Sequence, residues 1–252
     1  MVLLFLLIAA AIAVHFFLDA AIKKGVETVG PELTKVTVRL DSASISLLSG
    51  AGSLKGLVVG NPEGFKTPSA ISVGIASLAV KPGSLLSDKI IIESINVQAP
   101  EITFETDLRA NNLKKILANV EASAGSDPKA PAADKDKAAK PAKKLQVNDF
   151  AISGGKIRVS VTAMGGKAAT VPLPTIHLQN LGSGPEGITP AELTGLVLQA
   201  IESSAAKASA DVVADISKGA AVITKELGNA GGSAATNAVD KVTKGIGNLF
   251  KK

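Results

Sequence analysis

The sequence predicts an α+β protein: a curved, mainly antiparallel β-sheet covered in part by helices, with an N-terminal transmembrane helix and a helical C-terminal tail. Several short runs place apolar residues at every second position, and turn residues separate these runs. Such alternation is typical of strands with one buried face, and frequent turns between short strands favour an antiparallel meander. The chain also opens with an uninterrupted apolar run.

Composition limits the chemistry available to this chain of 252 residues. It is 46% hydrophobic, so it can bury a core, but aromatic residues make up only 3% and Trp, Tyr and Cys are absent. The lack of Cys excludes disulfides, thiolate nucleophiles and cysteine-based metal sites. The scarcity of aromatic rings argues against a stacking platform for nucleic acid. The net charge of +5 indicates at most a mild attraction to anionic lipid or polymer.

The N-terminal run is long enough to be a membrane anchor. Residues 2–14 are apolar without interruption, and the run extends to Leu18. This length is near the roughly 17–25 residues that span a bilayer, so the segment is either a single span or a long signal peptide. We expect a retained anchor over residues 1–22. Lys23 and Lys24 follow it and would by the positive-inside rule keep the body in the cytoplasm, against the other indications below.

Residues 23–122 are predicted to form the first part of the β module. The most informative stretch, residues 84–105, alternates in three pairs of apolar residues, and Pro100 separates the last two pairs. We therefore expect strand, turn, strand, with a bulge or bend where the alternation slips. If the apolar face of these strands holds lipid, the contact residues are those of the three pairs: Ile90, Ile92, Ile95, Val97, Ile102 and Phe104.

The remaining segments follow from changes of pattern. Residues 111–122 show the period of a helix. Residues 123–144 are predicted to be a disordered Ala/Lys/Pro linker. The period of a strand resumes over residues 145–188, with a hairpin predicted at Gly154-Gly155. Residues 189–252 are predicted to be a helical, partly amphipathic tail, which opens with a capping box and ends in a segment suited to a membrane surface, to the sheet or to another chain.

No motif indicates catalysis. The two histidines, His15 and His177, have no HExxH, GxSxG or Walker pattern around them. We expect a protein that is not an enzyme and that uses neither a cofactor nor a metal, and we name no catalytic residue.

Four motifs in a fixed order resemble the N-terminal module of the AsmA-like envelope proteins. They are Gly-Leu-x-Val-x-Asn-Pro-x-Gly-Phe at 56–65, Ser-Leu-Leu at 84–86, Pro-x-Ile-x-x-Glu at 100–105 and the Asn-Leu helix start at 112–113. The resemblance implies a single-pass inner-membrane protein with its main body in the periplasm, acting in outer-membrane biogenesis. It also implies membrane lipid as a partner, bound or transferred on an apolar sheet face.

Two functions remain open at this point. The protein holds or hands over lipid on that face, or it is a structural or interaction protein whose helices cover the sheet and whose tail binds an envelope protein. Nucleic acid is not expected as a partner. Whether the apolar face is open or covered separates the two.

Overall fold

The computed structural model describes residues 2–124, 143–162 and 167–229, and it leaves out the side chains of residues 2–17 and of most residues after 215. Three helices and ten strands are present in this part of the chain. The helices are α1 (Val2–Thr34), α2 (Asn112–Ala124) and α3 (Pro190–Asn229). The strands are β1 (Val38–Arg39), β2 (Ser42–Ile45), β3 (Ala51–Val59), β4 (Ile71–Val80), β5 (Lys89–Gln98), β6 (Glu101–Thr106), β7 (Lys144–Ser153), β8 (Lys156–Val161), β9 (Lys167–Pro172) and β10 (Ile176–Leu181).

Helix α1 is tied to the first two strands along its second half. The Asp19 carboxylate accepts a hydrogen bond from the Ile45 backbone N–H at 3.0 Å, and the Glu27 carboxylate accepts one from the Leu40 N–H at 3.1 Å. Between them, the Lys23 ammonium donates to the Asp41 carbonyl at 3.1 Å. These bonds satisfy backbone groups at the edge of the sheet and fix α1 beside it.

The predicted transmembrane helix is not found within the described residues, where no helix is both long and apolar enough to cross a bilayer. The expected anchor, residues 1–22, falls mostly on residues whose side chains are outside the description.

All ten strands belong to one sheet, and it is mixed, which corrects the expectation of a mainly antiparallel sheet. β5 runs parallel to β7, and β6 runs parallel to β8, at the centre of the sheet. The reason lies in the connection, because α2 stands between β6 and β7. A helix in the crossover returns the chain to the same end of the sheet, so the next strand pairs in parallel.

The two predicted turns inside the strands, at Pro100 and at Gly154-Gly155, are also wrong. β5 and β6 lie one after the other along the same edge of β4, and β7 and β8 continue each other in the same way. Gln98 faces Ser153 before the interruption and Glu101 faces Lys156 after it, so the register is unchanged. The chain bends at these sites and does not reverse.

A left-handed residue produces the bend in each strand. Ala99 has φ of 47° and Gly154 has φ of 65°, and the two occupy matching positions in the parallel pair. Main-chain bonds continue across the bend, since the Ala99 N–H donates to the Ser153 carbonyl at 2.8 Å and the Lys156 N–H to the Pro100 carbonyl at 2.9 Å. A side chain at Gly155 would collide with Leu173 and Pro100. The bend therefore crosses several strands and curves the sheet.

The predicted bulge between Ile92 and Ile95 is confirmed. The register of β4 against β5 shifts between Ala79 and Val80, which face Ser94 and Ile92. β7 keeps step with β5 through this shift.

The predicted linker, residues 123–144, lies mostly outside the described residues, between the end of α2 at Ala124 and the start of β7 at Lys144. Of the predicted helical tail, residues 230–252 also lie outside them, and residues 190–229 form α3. The predicted capping box is confirmed: the Thr189 N–H donates to the Glu192 carboxylate at 2.6 Å, and the Glu192 N–H donates to Thr189 Oγ1 at 3.1 Å.

Candidate functional site: the helix-covered sheet face and its cleft

The six predicted lipid-contact residues lie on two differently covered parts of the sheet. Val97, Ile102 and Phe104 are only 9%, 1% and 7% exposed, and they belong to the main apolar core. Ile92 and Ile95 are half-buried and pack against the same core, and Ile90 is half-buried beside Leu145 of β7.

Helices α2 and α3 supply the cover. α2 buries a stripe of three residues at helical spacing, Leu113, Ile116 and Val120. α3 buries Leu198, Ile201 and Ala205 in the same core. These side chains share the cluster with Ile102 and Phe104 of β6 and with Ile157 and Val159 of β8. Over the half of the sheet beyond the bend, the apolar face is thus filled by the protein's own helices.

A cleft remains where the end of α2 meets the start of α3. It has a volume of about 420 Å³ and is open to solvent. Val120 and Ala124 line it from α2, Ile188 from the connection before α3, and Leu196 from α3. Gly195 forms part of the wall, where a Cβ atom would lie 3.9 Å from Val120 Cγ1. Small-molecule sites in proteins are concave and mostly apolar, with volumes of about 300–1,000 Å³, so this cleft has the size of a ligand site.

The charged groups of the cleft are Glu121 and Glu192. Hydrogen bonds from the backbone N–H and the hydroxyl of Thr189 hold the pKa of the Glu192 carboxyl below its usual range. The Glu192 carboxylate is therefore engaged in capping α3, and a ligand in the cleft would meet mainly apolar side chains.

Sequence reasoning missed a buried polar network behind the sheet, centred on Glu105. The Glu105 carboxylate is fully buried and accepts hydrogen bonds from the Lys66 N–H at 2.7 Å, the Thr67 N–H at 2.8 Å and the Thr67 hydroxyl at 2.5 Å. Asn112, also fully buried, accepts from the Glu105 N–H at 3.0 Å and donates to Asn61 Oδ1 at 2.8 Å. Asn61 in turn donates to the Thr67 carbonyl at 2.7 Å.

This network joins three of the four sequence motifs in space. Asn61 belongs to the motif at 56–65, Glu105 closes the motif at 100–105, and Asn112 opens the helix at 112–113. Its members satisfy one another and hold the loop 61–67 against β6, which is a structural role. The sequence contained the three motifs, but nothing in their spacing indicated that their polar side chains contact one another.

The described residues outside the core include a histidine–carboxylate pair and a polar cleft with two basic side chains. His177 Nε2 lies 2.5 Å from Asp149 Oδ1 on the exposed face of the sheet, and this hydrogen bond lowers the pKa of the Asp149 carboxyl. Lys66 and Arg158 line a second, more polar cleft of about 370 Å³. No group of three or more His, Cys, Asp or Glu residues in the described ranges could hold a metal ion.

Fold and site together define a bent mixed sheet whose apolar face beyond the bend is filled by the protein's own helices, with a small apolar cleft between two of them. The chain belongs to the AsmA family, whose model matches residues 1–175. Membership suggests an envelope protein involved in outer-membrane assembly. No curated protein and no solved structure matches the chain.

Proposed function

We propose that this AsmA family member is a non-enzymatic envelope component that serves outer-membrane biogenesis as a closed interaction module at the inner membrane. The observation that carries the proposal is the filled sheet face, because Ile102 and Phe104 have their partners within the chain, on α2 and α3. Because these side chains are buried under α2 and α3, an acyl chain could reach them only if the helices moved away.

Membrane attachment is part of the proposal and rests on family membership and on the apolar run of residues 2–18. The main body would lie in the periplasm. α1 is one continuous helix from Val2 to Thr34, and its second half is hydrogen-bonded to β2. A body attached through that helix would sit directly beside the bilayer, since no flexible spacer separates the two.

Crosslinking tests the proposed module. Full-length protein is crosslinked in intact cells, purified in mild detergent, and analysed for both protein partners and bound lipid. We expect a stable protein partner and little lipid. Recovery of about one lipid per chain without any protein partner would contradict the proposal.

A second candidate function, lipid binding, is favoured by the cleft between α2 and α3. Its apolar lining and its volume of about 420 Å³ suit part of a single acyl chain. Lipid bound there would be lost on Leu196→Glu, which places a charge at the mouth of the cleft. The matched control is Leu108→Glu, because Leu108 is a similarly exposed leucine in the loop after β6. Equal lipid content in both variants, measured by mass spectrometry of the purified full chain, would exclude this cleft as the site.

A further inference from the structure

Two leucines are almost fully exposed at neighbouring loops. Leu48 is 96% and Leu86 is 95% exposed. Leu48 lies in the turn between β2 and β3, and Leu86 ends the short 3₁₀ helix Pro82–Leu86 between β4 and β5. Exposed apolar side chains that lie together mark a candidate contact surface for a partner or a membrane, whereas scattered ones need no explanation.

Backbone contacts hold the two loops side by side. The Val80 N–H donates to the Gly50 carbonyl at 2.8 Å, and the Gly50 N–H donates to the Ser46 carbonyl at 2.8 Å. Gly50 adopts φ of 71°, and a Cβ atom there would lie 1.8 Å from the Val80 carbonyl oxygen and 3.2 Å from Pro82 Cδ. The loops that bear the two leucines therefore lie at one end of the sheet, which we call the leucine end (residues 46–50 and 82–86).

The course of α1 points past the same end. Moving from Glu27 to Asp19 along α1, the bonded partners advance from Leu40, just before β2, to Ile45 at the end of β2. The helix therefore runs opposite to β2, and its residues 2–18 continue beyond Ile45, in the direction in which β2 enters the turn that bears Leu48. The apolar run and the exposed leucines leave the body on the same side.

Three lysines flank the 3₁₀ helix of the leucine end. Lys81 precedes the 3₁₀ helix and is exposed, and Lys89 begins the strand after it. The Lys143 ammonium donates to the Leu85 carbonyl at 2.6 Å, which places a third positive charge beside Leu86. Asp88 is the acidic residue within this segment. Exposed leucines with lysines beside them suit a bilayer that carries anionic lipid. The anionic headgroups attract the lysines, and the apolar interior accepts the leucines.

We propose that the leucine end is a membrane-contact surface, at which Leu48 and Leu86 insert into the interfacial region of a bilayer that carries anionic lipid. The inference rests on the proposed attachment to the inner membrane and adds to it an orientation: the long strands stand away from the bilayer, and the loop after β6, with Leu108, lies at the opposite end.

Single-cysteine labelling tests this orientation, because the chain has no cysteine of its own. Leu48→Cys, Leu86→Cys and the control Leu108→Cys are made in the full chain, labelled with an environment-sensitive fluorophore, and reconstituted into phosphatidylcholine vesicles containing phosphatidylglycerol. Some vesicles carry a lipid-borne quencher near the headgroups. We expect quenching at positions 48 and 86 to exceed that at position 108 by about twofold or more, and to weaken without phosphatidylglycerol.

Four results would overturn all or part of the proposal, and they differ in what else they affect. Equal quenching at all three positions on vesicle-bound protein refutes the leucine end alone. A blue-shifted emission at 48 and 86 without lipid quenching indicates a protein partner or a second copy there. Failure of the unlabelled full chain to associate with vesicles refutes the proposed membrane attachment as well. Quenching that is unchanged without phosphatidylglycerol refutes the role of the lysines.

Discussion

Replacing the buried carboxylate of Glu105 by an amide is expected to destabilise the fold strongly. Glu105→Gln keeps the size of the side chain but converts one of its two acceptor oxygens into a donor. Both oxygens accept backbone N–H groups, one from Lys66 and the other from Thr67. Whichever way the amide turns, its NH₂ group faces an N–H donor inside a fully buried site.

The size of the effect follows from the bonds lost. At least one charge-assisted hydrogen bond disappears, worth about 1.5–3 kcal/mol, and an unsatisfied buried donor adds about 1–3 kcal/mol. We expect the free energy of unfolding to fall by about 2.5–6 kcal/mol. With an m-value of about 2 kcal/mol/M, the urea midpoint drops by roughly 1–3 M.

The assay is urea unfolding of the full chain in detergent, followed by circular dichroism. Glu101→Gln is the matched control, because Glu101 is on the same strand, at the same parity, but exposed. We expect this control to stay within about 0.5 kcal/mol of the parent protein. Equal midpoints for Glu101→Gln and Glu105→Gln would refute the reasoning that the network holds the loop 61–67 in place.

Three further changes test α3. Thr189→Ala removes the cap and is expected to cost about 1 kcal/mol at neutral pH. Part of this cost depends on pH, because the Thr189 hydroxyl donates to the Glu192 carboxylate, whose folded pKa is lowered. That part is present above the unfolded pKa and is lost as pH falls through the folded pKa, so the stabilities of parent and variant approach each other in acid without becoming equal, which thermal unfolding across pH measures. Gly195→Ala should raise stability by about 0.5–1 kcal/mol, since the added methyl fits without a clash, and a loss of stability would contradict that geometry. Ser209→Ala should raise the free energy of unfolding by about 1 kcal/mol, because the fully buried hydroxyl has no hydrogen-bond partner among the described residues. Ser203→Ala is the control, and it should change stability little because Ser203 is exposed.

Most strands could be predicted from the sequence, because a strand with one buried face alternates apolar and polar residues. The alternating runs within residues 84–105 match β5 and β6, and the slip between Ile92 and Ile95 marks a true register shift. The capping residues before α3 were equally informative, since a cap acts within one turn of chain.

Strand partners could not be predicted in the same way. A period of two says which side chains share a face but not which strand lies alongside, so the parallel pairing of β5 with β7 was missed. Pro100 and Gly154-Gly155 indicated a change of direction, and only the pairing on both sides shows that the chain bends without reversing.

The apolar residues of the candidate site could be predicted from the sequence, but the residues that cover them could not. Ile102 and Phe104 were correctly placed on an apolar face, yet the partner that covers them, α3, begins more than eighty residues later in the chain. The association of Asn61, Glu105 and Asn112 is likewise long-range. Contacts of this kind depend on the assembled topology, which no local pattern encodes.

The claim that the sheet face is closed by the protein's own helices is tested most directly at Phe104. A benzophenone amino acid is placed there in the full chain, and crosslinking is induced by light in intact cells, with Leu196 as a second, cleft-lining position. We expect the probe at 104 to react within the chain, with residues of α2 or α3, and to yield no lipid adduct. A lipid adduct at position 104 as abundant as the internal crosslink would contradict it.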